Sequence, residues 1–344
     1  MAFVACKVPM ENVQDTASLE AAMRENRFGA DDIVAVVAKT EGNGGVNDIS
    51  RILVDRVLRD FLVEKGSRSR AEVMRVPIAL SGGCDGVISP HLNIFASVPD
   101  SSVSAASKQE LRLTVGVTVS EPILPEEIGR IEMVEKVAAG VRRAMADADI
   151  TDPADVHFVQ TKTPLLTAER IAAAKARGKT CVMHDTMESM AVSTATAALG
   201  IGVGVGEFRM PKPEQIARDL SLYSPVASCS SGVEHDEAQI VLVGNRRGIG
   251  GDFRIGHSVM KDALDVDGIM TGVATNVCVE TTARQAFLRD YYVVFTRDCT
   301  ATFTRAEHEA ALHNIDQFFG QVASAEEVMT CWPAAAPAKL RIAP

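Results

Sequence analysis

VHFVQTKTPLL, residues 156–166, and VASCSSGVEHDEAQIVLVGN, residues 226–245, decide the fold of this chain. The first is a β-prone run that ends on Lys162, and the second presents Ser230 ahead of a glycine before another apolar strand. The same order stands earlier in the chain. DIVAVVAKTEGNG, residues 32–44, carries Lys39; an amphipathic helix follows from Asp48 to Lys65; PIALSGGCDG, residues 77–86, delivers Ser81. The two serine motifs align as Ser-x-Gly-x-acid, Ser81-Gly82-Gly83-Cys84-Asp85 against Ser230-Ser231-Gly232-Val233-Glu234. Repetition on this scale means a fold assembled from copies of one unit. Each copy alternates strands with helices, so the fold class is α/β: repeated α/β units with lysine and serine at the ends of buried strands.

The repeat sets the boundaries. A first unit is expected over 1–103, a linker over 104–110 within the Ser-, Pro- and charge-rich stretch from Val98 to Glu110, and a second unit over 111–262. A third lysine on the same period would fall around 285–295. Instead IMTGVATNVCVETTARQAFLRDYYVVFTRDCTATF, residues 269–303, reads as a strand, a turn bearing Cys278, a helix, a strand and an acidic turn. This is a different supersecondary unit, assigned to 263–330, and the tail 331–344 reads as flexible.

Composition narrows the function. Charged residues at 23% and hydrophobic ones at 47% fit a globular chain, and aromatics at 5% make its cores aliphatic. A formal charge of −10 argues against nucleic acid or an anionic membrane surface as partner, since both select basic patches. Small substrates fit better. The seven cysteines (Cys6, Cys84, Cys181, Cys229, Cys278, Cys299, Cys331) are spread out with no CxxC pair, which disfavours a disulfide framework or a zinc site and suits a reducing cytoplasm. The N-terminus has no secretory pattern, and no membrane anchor is implied.

Serine needs a base to become a nucleophile, and lysine can be that base when burial and neighbouring cations lower its pKa. Convergence of Lys39 and Lys162 on one cavity would serve both. Backbone N–H groups at Gly82, Gly83 and Gly232 are candidate oxyanion donors, each worth about 3–4 kcal/mol. A lone Ser-Gly-Gly is ordinary turn chemistry, but a turn does not require a lysine on an upstream strand, and here the pair occurs twice. His308 and His313 lie five apart, off the helical metal spacing, and read as solvated helix residues. Gly200-Ile201-Gly202-Val203-Gly204-Val205-Gly206 follows TATAALG and reads as the close-packed end of a helix, not a dinucleotide loop.

AKTEGNGGVND, LSGGCDGVISPH, LPEEIGR, DVHFVQTKTPLLT, SLYSPVASCSSGVE and GNRRGIGGDFRIGHSVMKDALD resemble the cyanuric acid hydrolase and barbiturase family of ring-opening amidohydrolases, over residues 1 to about 266. The resemblance implies three similar α/β units about a pseudo-threefold axis, of which this chain carries two. It implies a small cyclic amide as substrate, a homo-oligomer, and no organic cofactor; the family's metal site lies in the absent third unit. It implies Ser230 as nucleophile and Lys162 as its base, with Ser81 and Lys39 as a supporting dyad. Arg51, the Ser81-Gly82 pair and the Ser230-Ser231 pair would hold the ring carbonyls, and the product would be carboxybiuret, which decarboxylates to biuret. Where the family has a second arginine, in MGYSRG-like text, this chain has MAVSTA with Thr194. The segment from about 269 to 330 resembles the C-terminal part of isochorismatase-like cysteine hydrolases, with Cys278 at the nucleophile's place. The rest of that triad belongs to a half this chain lacks, so a structural cysteine is the plainer reading of Cys278. Impaired ring opening, a cysteine hydrolase acting on biuret or another linear amide, and an inactive fusion stand as alternatives.

Overall fold

The computed structural model describes residues 1–84, 89–99, 110–257, 259, 275–287, 293–302 and 304–331. Asp85, most of the 104–110 linker, the boundary between the second unit and the 263–330 segment, and the tail beyond 331 lie outside the described residues, as do the side chains of Cys278 and Cys331. The chain divides into two compact units, 1–257 and 258–344, and the first holds both lysine–serine repeats.

In the first repeat β1 (Ala2–Pro9), β2 (Ile33–Lys39), β3 (Ile78–Ser81) and β4 (His91–Val98) form one sheet in the order β1-β4-β2-β3. Helix α1 (Ala17–Asn26) joins the first two strands. Helix α2 (Ile49–Lys65) and the single turn α3 (Arg70–Val73) cross from β2 to its parallel neighbour β3. Asp48 caps α2, accepting from the Ser50 amide at 3.0 Å.

The second repeat repeats this wiring. Strands β5 (Arg112–Val119), β6 (Val156–Pro164), β7 (Ala227–Gly232) and β8 (Gln239–Arg246) take the order β5-β8-β6-β7, with α4 (Ile131–Asp147), α5 (Ala168–Ala176) and α6 (Thr186–Val205) as connections. Pairings match strand for strand: β1–β4 and β5–β8 antiparallel, β2–β4 and β6–β8 antiparallel, β2–β3 and β6–β7 parallel. Irregularities recur as well. A register shift falls between Ile33 and Ala35 in one copy and between Val156 and Phe158 in the other. A left-handed residue closes the first helix of each, Arg27 at φ 57° and Asp149 at φ 54°.

Period-two patterning explains the layers. Along β8, Ile240 and Leu242 face the helices of their own repeat, whereas Val241 and Val243 face the other sheet. Ala35, Leu113, Val115, Val241 and Val243 make the seam between the sheets, with Phe3, Phe95 and Phe158 packed against it. The glycine run does end a helix. Gly200 and Gly204 let α6 lie directly on α4, where an added Cβ would come within 2.6 Å of Val137 and Val141 respectively. Gly206, at φ 97°, then closes the helix in the left-handed conformation. Length and composition alone would let α6 cross a membrane, but more than half of its apolar window is buried inside this unit.

The second compact unit begins its described part with a π-helical turn, Thr275–Val279, which carries Cys278 into α7 (Glu280–Phe287). Strand β9 (Val294–Thr296), α8 (Arg305–Phe318), β10 (Gln321–Ala323) and α9 (Ala325–Cys331) follow, with β9 and β10 parallel. Val279, Ala283, Phe295 and Ile315 form its core. His308 lies on α8 with its Nδ1 2.9 Å from Thr275 Oγ1, and His313 on the same helix is exposed.

Candidate active site

Parallel pairing sets each lysine beside its serine. Lys39 is the register partner of Ser81 across β2–β3, and Lys162 that of Ser230 across β6–β7. In-register neighbours present their side chains on the same face of a sheet. Both ammonium groups turn to the carbonyl one residue past the serine. Lys39 Nζ donates to Gly82 O at 2.9 Å, and Lys162 Nζ to Ser231 O at 3.2 Å. The Ser230 hydroxyl meanwhile donates to Thr161 O at a long 3.4 Å. The two side chains are adjacent but not hydrogen-bonded to each other.

Each repeat adds one buried hydroxyl pair. Thr40 Oγ1, next after Lys39, lies 2.9 Å from Ser50 Oγ; Thr163 Oγ1, next after Lys162, lies 2.8 Å from Ser193 Oγ. These pairs align Ser50 with Ser193 and therefore Arg51 with Thr194. The MAVSTA departure thus falls on the helical position that carries arginine in the first repeat. Thr194 Oγ1 turns back on its own helix, 3.0 Å from Met190 O and 2.9 Å from Ala191 O.

The repeats part company in their electrostatics. Lys39 is half-buried, but the Lys162 side chain is only 2% exposed. Burial pushes Lys162 down to about 8, Arg51 pushes the same way, and Glu234 and Asp48 pull against them. The sequence pointed to Lys39 as the helpful neighbouring cation; the structure puts Arg51 there instead. Arg51 is itself buried and its guanidinium is taken up by the protein: Nε donates to Glu234 Oε1 at 2.5 Å, Nη2 to Gly45 O at 2.8 Å, and Nη1 lies 3.7 Å from Asp48 Oδ2. Its first role here is to tie α2 of one repeat to the serine loop of the other.

Glu234 is where those ties meet. Its Oε1 is 3.8 Å from Lys162 Nζ. Burial alone would raise this carboxyl, but the Lys162 and Arg51 cations, with hydrogen bonds from the Glu234 amide and the Arg51 side chain, hold it below the usual carboxylate range. Asp48 is lowered in the same manner: burial opposes, and the Ser50 hydroxyl, the Gly44 and Ser50 amides and Arg51 prevail. In the sequence Glu234 was only the last letter of a motif, and its contact with Arg51, 183 residues away, had no local signal.

The other predicted donors divide. Gly83 gives its amide to Gly42 O at 2.8 Å, which removes it as an oxyanion donor. Gly232 lies against the Glu234 carboxylate, whose Oε2 would be 1.8 Å from a Cβ added there. Ser231 is buried with its hydroxyl 3.2 Å from Met190 O. Cys229, beside Ser230, is no competing nucleophile, since burial pushes its thiol up to about 12. Among the described residues no three or more His, Cys, Asp or Glu side chains converge as a metal site would require.

Comparison with known proteins identifies the family. The family model described as amidohydrolase ring-opening protein matches residues 4–313. Barbiturase 2 of Nocardioides sp. is 60% identical over 267 residues, 78% of this chain and 71% of the relative. A cyanuric acid amidohydrolase of Enterobacter cloacae is 41% identical over 277 residues, 80% of this chain and 75% of the relative. A solved cyanuric acid hydrolase superposes with TM-score 0.74 at 31% identity, covering 94% of each chain. Such neighbours put the protein among cyclic-amide hydrolases of mixed α/β fold. The chain belongs to the family of amidohydrolase ring-opening proteins. The family match runs past residue 266, where the sequence resemblance ends, and so reaches into the segment read as foreign.

Proposed function

We propose that the chain opens a cyclic amide ring by serine chemistry, with Ser230 as nucleophile and Lys162 as base. One observation carries this reading: Lys162 is the in-register neighbour of Ser230 and sits almost wholly buried, where burial lowers its affinity for a proton. Ser230 Oγ attacks a ring carbonyl carbon while its proton passes to Lys162 Nζ. The ring C–N bond then breaks, its electron pair stays on nitrogen, and that nitrogen takes the proton from Lys162. Water cleaves the resulting acyl ester, giving one proton through Lys162 to the departing Ser230 oxygen. This sequence consumes only water. Ser81, Gly82 and Ser231 would serve as donors to the remaining carbonyls.

One comparison ranks the substrates. Barbiturases are the more similar relatives, at 60% and 55% identity against 41% for cyanuric acid amidohydrolases. Barbiturate is therefore placed before cyanuric acid. No lysine occurs between Lys261 and Lys339, so the C-terminal unit supplies no third lysine–serine strand pair, and turnover below that of a three-unit enzyme is expected. Incubation with barbituric acid, cyanuric acid and biuret, each followed by chromatography of products, tests the reading. Ring-opened product from either cyclic substrate supports it; turnover of biuret alone, silenced by Cys278→Ala, overturns it.

A further inference from the structure

We propose that Glu234 completes the Ser230–Lys162 pair as a positioning residue, holding the lysine and neutralising the ammonium created when Ser230 gives up its proton. The inference rests on the serine–lysine reading above and goes one group further. A buried base that gains a proton becomes a buried cation, which is costly unless a counter-charge is already in place. Glu234 is that counter-charge: its side chain is 6% exposed and its Oε1 is 3.8 Å from Lys162 Nζ. Arg51 Nε donates to that same oxygen at 2.5 Å and so fixes the carboxylate. Among the described residues Glu234 Oε2 is buried and accepts no hydrogen bond, which leaves it free for a newly formed ammonium. The carboxylate lies directly against Gly232, where a Cβ would stand 1.8 Å from Oε2 and force it to move. A carboxylate that steadies the base is the logic of a catalytic triad, here with lysine in the central place.

The charged groups facing the pair are few. Lys162 feels Glu234, Arg51 and Asp48; Glu234 feels Lys162 and Arg51. His235, next in the chain, faces Asp55, Glu237, Arg59 and Glu234.

Glu234→Gln in the full chain keeps the shape and removes the charge. Lysine Cε chemical shifts, followed by NMR over pH, read the Lys162 proton without requiring turnover. The Lys162 titration should move to lower pH by about 1 unit or more, the usual effect of losing an opposite charge at this range. The acid limb of the pH–rate profile should move with it, and kcat should fall about 10²-fold or more with KM little changed. A Lys162 titration that stays in place in folded Glu234→Gln overturns the inference. If that variant does not fold, Gly232→Ala, which drives a methyl group into the carboxylate, should shift the titration in the same direction. Ser230→Ala run in parallel separates the two failures. Undiminished turnover in Ser230→Ala overturns the serine–lysine reading itself; loss of turnover there with an unmoved Lys162 overturns the role of Glu234 alone.

Discussion

The two repeats share strand order, bulge position, helix closure and hydroxyl pair, yet they bury their lysines unequally: Lys39 is half-buried, whereas Lys162 is almost wholly buried with Glu234 beside it. Sheet topology therefore accounts for where lysine and serine meet, but not for the surroundings of each pair. Those are set by a few side chains, namely Glu234 and Arg51 around Lys162, and Thr194 where the first repeat has Arg51.

Exchanging equivalent residues between repeats is the sharpest way to break the comparison. Ser230→Ala should lower kcat by about 10³-fold or more, whereas Ser81→Ala, losing one neutral donor, should cost only about tenfold in kcat/KM. Equal losses in steady-state assays would erase the distinction between the repeats.

The next largest effect is on stability. The folded-state pKa of Lys162 lies near 8, below the ordinary 10.5, so between those values the unfolded chain binds a proton that the folded protein has shed. Stability should rise across that window by about 3 kcal/mol from this group, and the strain is fully present below pH 8. Urea unfolding at pH 7.5 and pH 10, with Lys162→Met as reference, checks the sign: the parent should gain more on raising the pH.

Thr194→Arg would make the repeats alike at that helical position. It should lower KM by about 10-fold, given about 1.5–3 kcal/mol for a charge-assisted hydrogen bond and some cost of ordering the side chain. An unchanged or raised KM would mean that the position does not reach the ring.

The smallest effect concerns the helix pair of the second repeat. Gly200→Ala places a Cβ 2.6 Å from Val137 Cβ and 3.1 Å from Val134 O, so it should destabilise by about 1–2 kcal/mol and lower Tm by a few degrees. A thermal melt identical to the parent would show that α4 and α6 can separate freely.

Much of the site was legible because lysine and serine stand at strand ends twice in the same order. The repeat gave Lys39, Ser81, Lys162 and Ser230 without any three-dimensional information. Register needed the sheet: nothing in the local sequence says that Lys162 stands opposite Ser230 and not one residue away. Long-range electrostatics was the least legible part. Arg51 meets Glu234 across the boundary between repeats, so the cation beside Lys162 came from an unexpected strand connection, and the guanidinium read as a ring-carbonyl donor is occupied by protein acceptors. Gly83 failed as an oxyanion donor for a similar reason, because its amide serves the Gly42 loop. At Cys278 the strand expected before the turn lies outside the described residues, the expected turn is a π-helical one, and the helix expected after it is present as α7.

The hydroxyl pairs Thr40–Ser50 and Thr163–Ser193 fasten the end of each lysine strand to the start of the next long helix. They hold that helix at a fixed depth whatever residue comes next in it. Frame and variable position are thus carried by different side chains, one position apart. The fastening stays the same while the next helical residue is arginine in one repeat and threonine in the other, so that position can change without loosening the helix.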